Sequence, residues 1–347
     1  MNTQYANKGL TGLANLGNTC FINSCMQVLS HTYELNDLLN KPDFLKKLKN
    51  KYDSVLLYEW DQLRQLMWKE NTTISPSKFV KTIQKIAQIK KMELFTGYSQ
   101  NDLPEFFLFI IDCFHNAISR EVTMKVQGSP ENETDKIAIQ CFTTIQKMYT
   151  KEYSEIWNLF FGIHISEIVS LGSNNTVLSR NPEPFLMINL SIPTNNKSPT
   201  LKDCFDLYVQ GEILRDENAW YNDTTKQKEN VHKKISFWSL PTILVMDLKR
   251  NNANNIYNKN QILVDFPLTD MNLSSYVIGY KKESYIYDLY GVCNHSGTTY
   301  GGHYTAFVKN ANGNWYHFND TNVTQVTQEQ IVTSKAYCFF YRKKTKL

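Results

Sequence analysis

The sequence predicts an α+β fold, with helices first and a large antiparallel sheet last. Three observations carry this. Apolar side chains recur at helical spacing through the first third of the chain, whereas beyond about residue 155 they gather in short runs rich in β-branched and aromatic residues. An Asn312-Gly313 pair stands between two of the last runs, the signature of a tight hairpin. The 347 residues, 42% hydrophobic and 13% aromatic, are enough for one large domain with a sizeable core.

The elements follow in order. Asn18 or Thr19 can cap a helix that starts at Cys20 and buries Phe21, Cys25, Val28 and Leu29. Leu56, Trp60, Leu63 and Met67 keep the i, i+4, i+7, i+11 rule of a second helix. Ser75 as N-cap and Pro76 at the first helical position open a third, with Phe79, Ile83 and Ile86 on one face. Asp102 caps a fourth, with Glu105 at capping-box spacing and Pro104 tolerated in the first turn. The apolar run from Phe106 to Ile111 marks that helix as deeply buried. Gln127 to Lys136 reads as a loose surface loop. Buried strands are expected at Phe185–Leu190 and Thr242–Leu248, and a final sheet at Tyr285–Val292, Tyr304–Val308, Asn314–Phe318 and Tyr337–Tyr341. Asp216 to Lys234 is polar and offers no core pattern.

Composition excludes several classes. A net charge of +4 demands no nucleic-acid partner, and the short basic stretches Lys46-Lys47-Leu48-Lys49 and Arg342-Lys343-Lys344 read as solvated surface. No apolar run has the length of a membrane span, and the N-terminus has no signal-peptide core, so no membrane partner is expected. Seven scattered cysteines without a Cys-x-x-Cys pair suit free thiols in a reducing compartment, the cytoplasm first and the nucleus as an alternative. A monomer is expected.

Two segments near opposite ends carry chemistry. Gly12-Leu13-Ala14-Asn15-Leu16-Gly17-Asn18-Thr19-Cys20 leads a cysteine into a helix start. There, exposed N–H groups and a neighbouring imidazolium would lower the thiol pKa. Tyr300-Gly301-Gly302-His303-Tyr304 and Trp315-Tyr316-His317-Phe318-Asn319-Asp320 supply a histidine after a glycine pair and an amide able to orient it. Together they form a Cys-His-Asn set for nucleophilic catalysis. His295 and His317 are rival bases. His317 alternates along a strand and reads as a sheet residue, while His295 sits in a turn-like Asn-His-Ser-Gly segment that lacks the glycine approach. His303 is preferred.

The segment from Gly12 to Leu29 closely resembles the cysteine box of the ubiquitin-specific proteases. Tyr98 to Phe107, containing Gln100-Asn101-Asp102, is similar to that family's second box, and Tyr290 to Tyr304 to its histidine box. Leu248-Lys249-Arg250, Phe266-Pro267-Leu268 and Ala336 to Tyr341 match as well, in the family's order, from about residue 9 to 342.

The resemblance implies a papain-like cysteine peptidase with a hand-like architecture. A helical thumb would span about 1–154, fingers lie mainly within about 155–235, and a β-rich palm occupy about 236–347. It further implies a deubiquitinating thiol protease whose partners are ubiquitin and ubiquitinated proteins. The bond cut would be the isopeptide or peptide bond after ubiquitin's terminal glycine. In those terms Cys20 is the nucleophile, His303 the base, and Asn15 the oxyanion donor five positions before the nucleophile. Asn319 would accept the Nδ1–H of His303. Asp320 ranks second for that task, because strand alternation should turn it to the other face. Gln100, Asp102 and Glu105 are expected to meet the arginine-bearing ubiquitin tail, with Gly301, Gly302 and Tyr304 lining the same channel. Paired cysteines that bind zinc in many family fingers are missing from Ser170-Leu171-Gly172-Ser173 and Trp220 to Thr225. Isolated His164 and His232 are poor substitutes, so no metal and no cofactor are expected. Two other readings are a catalytically weak ubiquitin-binding module and a protease for a ubiquitin-like modifier.

Overall fold

The computed structural model describes residues 3–49, 51–172, 175–251, 259–298 and 301–345. Ser173 and Tyr300 lie outside the described residues. Short strands β1 (Gly12–Leu13) and β2 (Thr73–Ile74) pair in parallel near the start. The helices are α1 (Cys20–Ser30), α2 (Tyr33–Leu39), α3 (Tyr52–Lys69), α4 (Ser77–Ile89), α5 (Leu103–Ile118), α6 (Glu133–Lys151), α7 (Glu155–Phe160) and α8 (Leu201–Gln210). Strands β3 (Gly162–Ser170), β4 (Val177–Phe185) and β5 (Met187–Leu190) precede α8, and β6 (Glu212–Leu214), β7 (Trp220–Asn222), β8 (Gln227–Glu229) and β9 (Val231–Ser239) follow it. The chain closes with β10 (Ile243–Leu248), β11 (Met271–Asn272), β12 (Ile286–Gly297), β13 (Gly302–Lys309), β14 (Trp315–Asn319), β15 (Asn322–Val326) and β16 (Ala336–Lys343).

One eight-stranded sheet organises the molecule, in the order β15-β14-β13-β12-β16-β10-β5, with β11 added on β12. Successive side chains of a strand point to opposite faces, and both faces here are covered. Val245, Cys338 and Phe340 join the core under the first helices, while Leu244, Met246, Phe339 and Tyr341 join a second core on the far face. Double coverage explains why β10 and most of β16 are buried without interruption. Helix α1 is buried along its whole length, because it lies between α5 and strands β12 and β13.

A second sheet, ordered β4-β3-β9-β6, and the β7–β8 hairpin come from the middle of the chain. That stretch does not stay apart: β5 returns to pair in parallel with β10, and α8 buries Leu201, Cys204 and Phe205 in the far core of the large sheet.

Several local expectations need correction. The stretch read as a loose loop ends in helix α6, capped by Asn132, whose side chain accepts the Asp135 N–H at 2.9 Å. Its apolar stripe of Ile137, Ala138 and Cys141 is narrow, which hid it. The polar run Asp216 to Lys234 holds β7, β8 and the start of β9. Helix α4 begins at Ser77, with Pro76 at the cap position rather than Ser75. Arg342 is only partly exposed: it pairs with Glu34 at 2.7 Å, and its guanidinium lies 4.3 Å from the Tyr290 ring centroid and 4.8 Å from that of Tyr33. All seven cysteines are buried free thiols. Among the described residues, no helix is long and apolar enough to cross a membrane.

The β7–β8 hairpin is closed by side chains. Asn222 Oδ1 accepts the Thr224 N–H at 2.9 Å, while its Nδ2 and the Thr225 hydroxyl both donate to Glu229 Oε1 at 2.7 Å. Among the described residues, no three His, Cys, Asp or Glu side chains converge as a metal site. Elemental analysis of the purified protein is expected to find well under one zinc per chain, with a melting temperature unchanged by chelator. Stoichiometric zinc whose removal lowers stability would contradict this.

Candidate active site

Cys20 is the first residue of α1 and is 1% exposed. The loop before it is folded by Asn15, whose Oδ1 accepts the N–H groups of Gly17 (3.0 Å) and Thr19 (3.1 Å). Asn18 adopts φ 53° in that loop, and Thr19 holds the N-cap position. The Thr19 hydroxyl turns back to accept the Leu16 N–H at 2.9 Å rather than capping the helix.

The other half of the site comes from the adjacent strands β13 and β14. Their register pairs Ala306 with Phe318 and Phe307 with His317, which sets Asn319 diagonally across from His303. His303 Nε2 donates to Asn319 Oδ1 at 2.7 Å. An amide oxygen only accepts, so Nε2 carries a proton, and the lone pair of the neutral tautomer is on Nδ1. This corrects the expected contact through Nδ1: the orienting bond uses the far nitrogen and leaves Nδ1 for the reaction.

Asp320 does not continue the strand, so alternation does not govern it. It stands at φ 51° in the two-residue turn to β15. Its carboxylate faces the site. Oδ1 accepts Asn23 Nδ2 at 2.8 Å, Oδ2 accepts Asn15 Nδ2 at 3.0 Å, and Oδ2 stands 4.0 Å from His303 Nε2. Asn319 is therefore the nearer partner of the imidazole, and Asp320 is bound to the loop that carries Cys20. The backbone reinforces this junction, because Leu13 N–H donates to the Asp320 carbonyl at 2.9 Å. Gly12 is required there: a Cβ at that position would fall 2.3 Å from the Thr321 carbonyl oxygen.

Burial pushes the Cys20 thiol pKa up, and the Asp320 carboxylate adds to the rise. Opposing hydrogen bonds come from the Tyr304 and Phe21 backbone N–H groups and the Gln100 side chain. The expected lowering at a helix start is thus outweighed by desolvation.

The remaining candidates line the cleft differently from expectation. Gln100 makes two hydrogen bonds to Gly302, its Nε2 donating to the carbonyl and its Oε1 accepting the N–H, so it is held by the chain itself. Gly302 lacks a Cβ because His295 fills the space, with Nε2 only 2.3 Å from where that atom would stand. At Gly301 the nearest such contact is 4.0 Å away, leaving an open approach. Tyr304 presents backbone: its ring is 4% exposed and stacks on His295 at 4.3 Å. His295 lies in β12, not in a turn. Burial, then the charges of Lys259 and His303, push its pKa down to about 4, and Lys259 Nζ approaches its Nδ1 at 2.7 Å. His317 is the sheet residue expected, its ring 4.9 Å from Phe307. Asp102 caps α5 through the Glu105 N–H (3.3 Å) and accepts the Tyr337 hydroxyl at 2.6 Å. Burial raises the pKa of both Asp102 and Glu105. Sequence reasoning missed Asn23, although its place one turn after Cys20 puts it on the same helix face.

Asp247 was also missed. It is 3% exposed in β10 and accepts Asn189 Nδ2 at 2.5 Å. Burial, then the Asp102 carboxylate, push its pKa up to about 7. Between the unfolded value and about 7, the folded state keeps a proton that the unfolded state loses. That stability is full below the unfolded value and is lost as pH rises towards 7. Asp247→Asn should therefore gain on the parent by about 3 kcal/mol between pH 5 and pH 8. Thermal melts across that range check it, and parallel curves would refute it.

Comparison with known proteins agrees with this geometry. The sequence model of the family described as ubiquitin carboxyl-terminal hydrolase matches residues 11–341. The chain belongs to the ubiquitin carboxyl-terminal hydrolase family. It is 35% identical to human ubiquitin carboxyl-terminal hydrolase 2 over 354 residues, covering 98% of this chain and 56% of that protein. The chicken protein of the same name is 34% identical, covering 96% of this chain and 93% of its own length. Human ubiquitin carboxyl-terminal hydrolase 21 is 31% identical, with 96% and 61% covered. The chain thus spans little more than half of the first relative's length. Among solved structures, the SAGA Ubp8/Sgf11/Sus1/Sgf73 DUB module bound to ubiquitin aldehyde matches with a TM-score of 0.73 and 25% identity, over 99% of this chain and 71% of that one. The family's hand-like, papain-like α+β fold is therefore the fold of this chain.

Proposed function

We propose that this chain is a deubiquitinating thiol protease that hydrolyses the bond after ubiquitin's C-terminal glycine. The observation that carries the reading is that the backbone N–H of Tyr304, the residue after His303, and the carboxylate of Asp320, the residue after Asn319, both act on the Cys20 thiol. His303 is held by Asn319 through Nε2, and Asn15 is held beside the sulfur's helix by Asp320. Family membership supplies the substrate class.

In the proposed reaction, Nδ1 of His303 takes the Cys20 proton as the sulfur attacks the glycine carbonyl. Asn15 Nδ2–H and the Cys20 backbone N–H would receive the negative charge on the carbonyl oxygen. Collapse expels the substrate amine with the proton from His303 and leaves a thioester. Water, deprotonated by His303, then releases ubiquitin. Asp102 and Glu105 are proposed to meet the basic tail, and the open face at Gly301 to admit its glycines. Seven buried thiols suit a reducing compartment, and the reaction needs a single copy of the chain.

Hydrolysis of a ubiquitin C-terminal fluorophore amide tests the reading, with ubiquitin-like modifiers in parallel. Ubiquitin should lead by at least about 100-fold in kcat/KM. Binding without turnover, or preference for another modifier, would replace the proposal with one of its rivals.

A further inference from the structure

We propose that Asn23 is a positioning residue for the oxyanion donor and acts through Asp320; this rests on the roles given above to Cys20 and Asn15. Asn23 is 2% exposed on α1, one turn beyond Cys20. Its Nδ2 donates to Asp320 Oδ1 at 2.8 Å and also reaches the carbonyls of Leu13 (3.2 Å) and Ala14 (3.3 Å). The second oxygen of Asp320 then accepts Asn15 Nδ2 at 3.0 Å.

Each oxygen of this one carboxylate has its own amide donor. The terminal torsion of an aspartate is otherwise broad, so removing either donor lets the carboxylate rotate. Asn15 stands exposed in a loop, and its amide nitrogen would then sample several directions. An oxyanion donor is effective only when aimed in advance at the place where charge develops. Asn23 and Cys20 share one rigid helix. The helix, rather than the loop, therefore sets the distance from the sulfur to the Asp320–Asn15 pair. Asn23 touches no reacting atom in this account.

A double-mutant cycle tests it, using Asn23→Ala, Asp320→Ala and the pair, with kcat and KM read on the ubiquitin fluorophore amide. Asn23→Ala should lower kcat by about 10-fold or more with KM nearly unchanged. In the Asp320→Ala background the same change should add less than about twofold, because its effect passes through that carboxylate. Equal losses in both backgrounds, or a loss confined to KM, overturn the proposal. Asn23 also ties down the Leu13 and Ala14 carbonyls, so melting temperatures accompany each variant. Should Asn23→Ala not fold, Asn23→Ser keeps a donor near those carbonyls while falling short of Asp320, and the same cycle applies. An inactive parent defeats the underlying reading and this proposal together, whereas additivity in an active enzyme defeats the positioning role alone.

Discussion

Cys20→Ala is expected to abolish ubiquitin cleavage, with a loss of at least about 10⁴-fold in kcat/KM, while ubiquitin binding persists. The sulfur is the one nucleophile placed at a helix start between the Asn15 loop and the His303 strand. The proposed grip on substrate lies elsewhere, at Asp102, Glu105 and Gly301. Cys25 provides the contrast. It sits on the same helix, is 0% exposed and faces the core. Burial alone holds its thiol protonated. Cys25→Ala should cost about 1–2 kcal/mol of stability as a small cavity opens and should still turn over. Comparable kinetic losses in the two variants would move the assignment away from Cys20.

Asn319→Ala is expected to lower kcat by roughly 100-fold or more, because the imidazole loses the acceptor that fixes its protonated nitrogen. Asn319→Asp should retain activity, since a carboxylate accepts the same Nε2–H. Asp320→Asn separates the neighbours. It replaces one oxygen that receives Asn15 or Asn23 with an amide nitrogen, so two donors face each other and the turn loosens. A smaller loss than that of Asn319→Ala is expected, in keeping with distances of 2.7 Å and 4.0 Å from His303 Nε2. If Asp320→Asn silences the enzyme while Asn319→Ala stays near the parent, the two residues exchange roles.

Much of this arrangement was legible in the sequence, for identifiable reasons. Helices α1, α3 and α5 announce themselves because each buries apolar residues at helical spacing, α1 against β12 and β13, α3 against α4 and α5, and α5 against α1 and α3, and Asp102 caps α5 as its spacing implied. The strands β10, β13, β14 and β16 carry continuous or alternating apolar patterns. Helix α6 escaped because it buries few residues and its start is a run of polar caps. The nitrogen of His303 that meets Asn319 depends on ring orientation, which no spacing encodes. Asp320 was misjudged because a strand rule was applied one residue past the strand, where a left-handed φ turns the carboxylate inward. The thiol was expected to be acidic from its helix position, a local effect. Burial and the nearby Asp320 charge, both set by the packing of distant sequence around the helix start, reverse that sign. Gly302 likewise looked like a substrate approach, yet its missing Cβ is demanded by His295.

Covalent trapping tests the central claim most directly. Ubiquitin bearing a C-terminal electrophile is incubated with the purified chain, and the adduct is mapped by mass spectrometry of its peptides. One ubiquitin per chain, attached to Cys20 and absent from Cys20→Ala, is the predicted result. An adduct on any of the other six cysteines, or undiminished labelling of Cys20→Ala, would contradict the account.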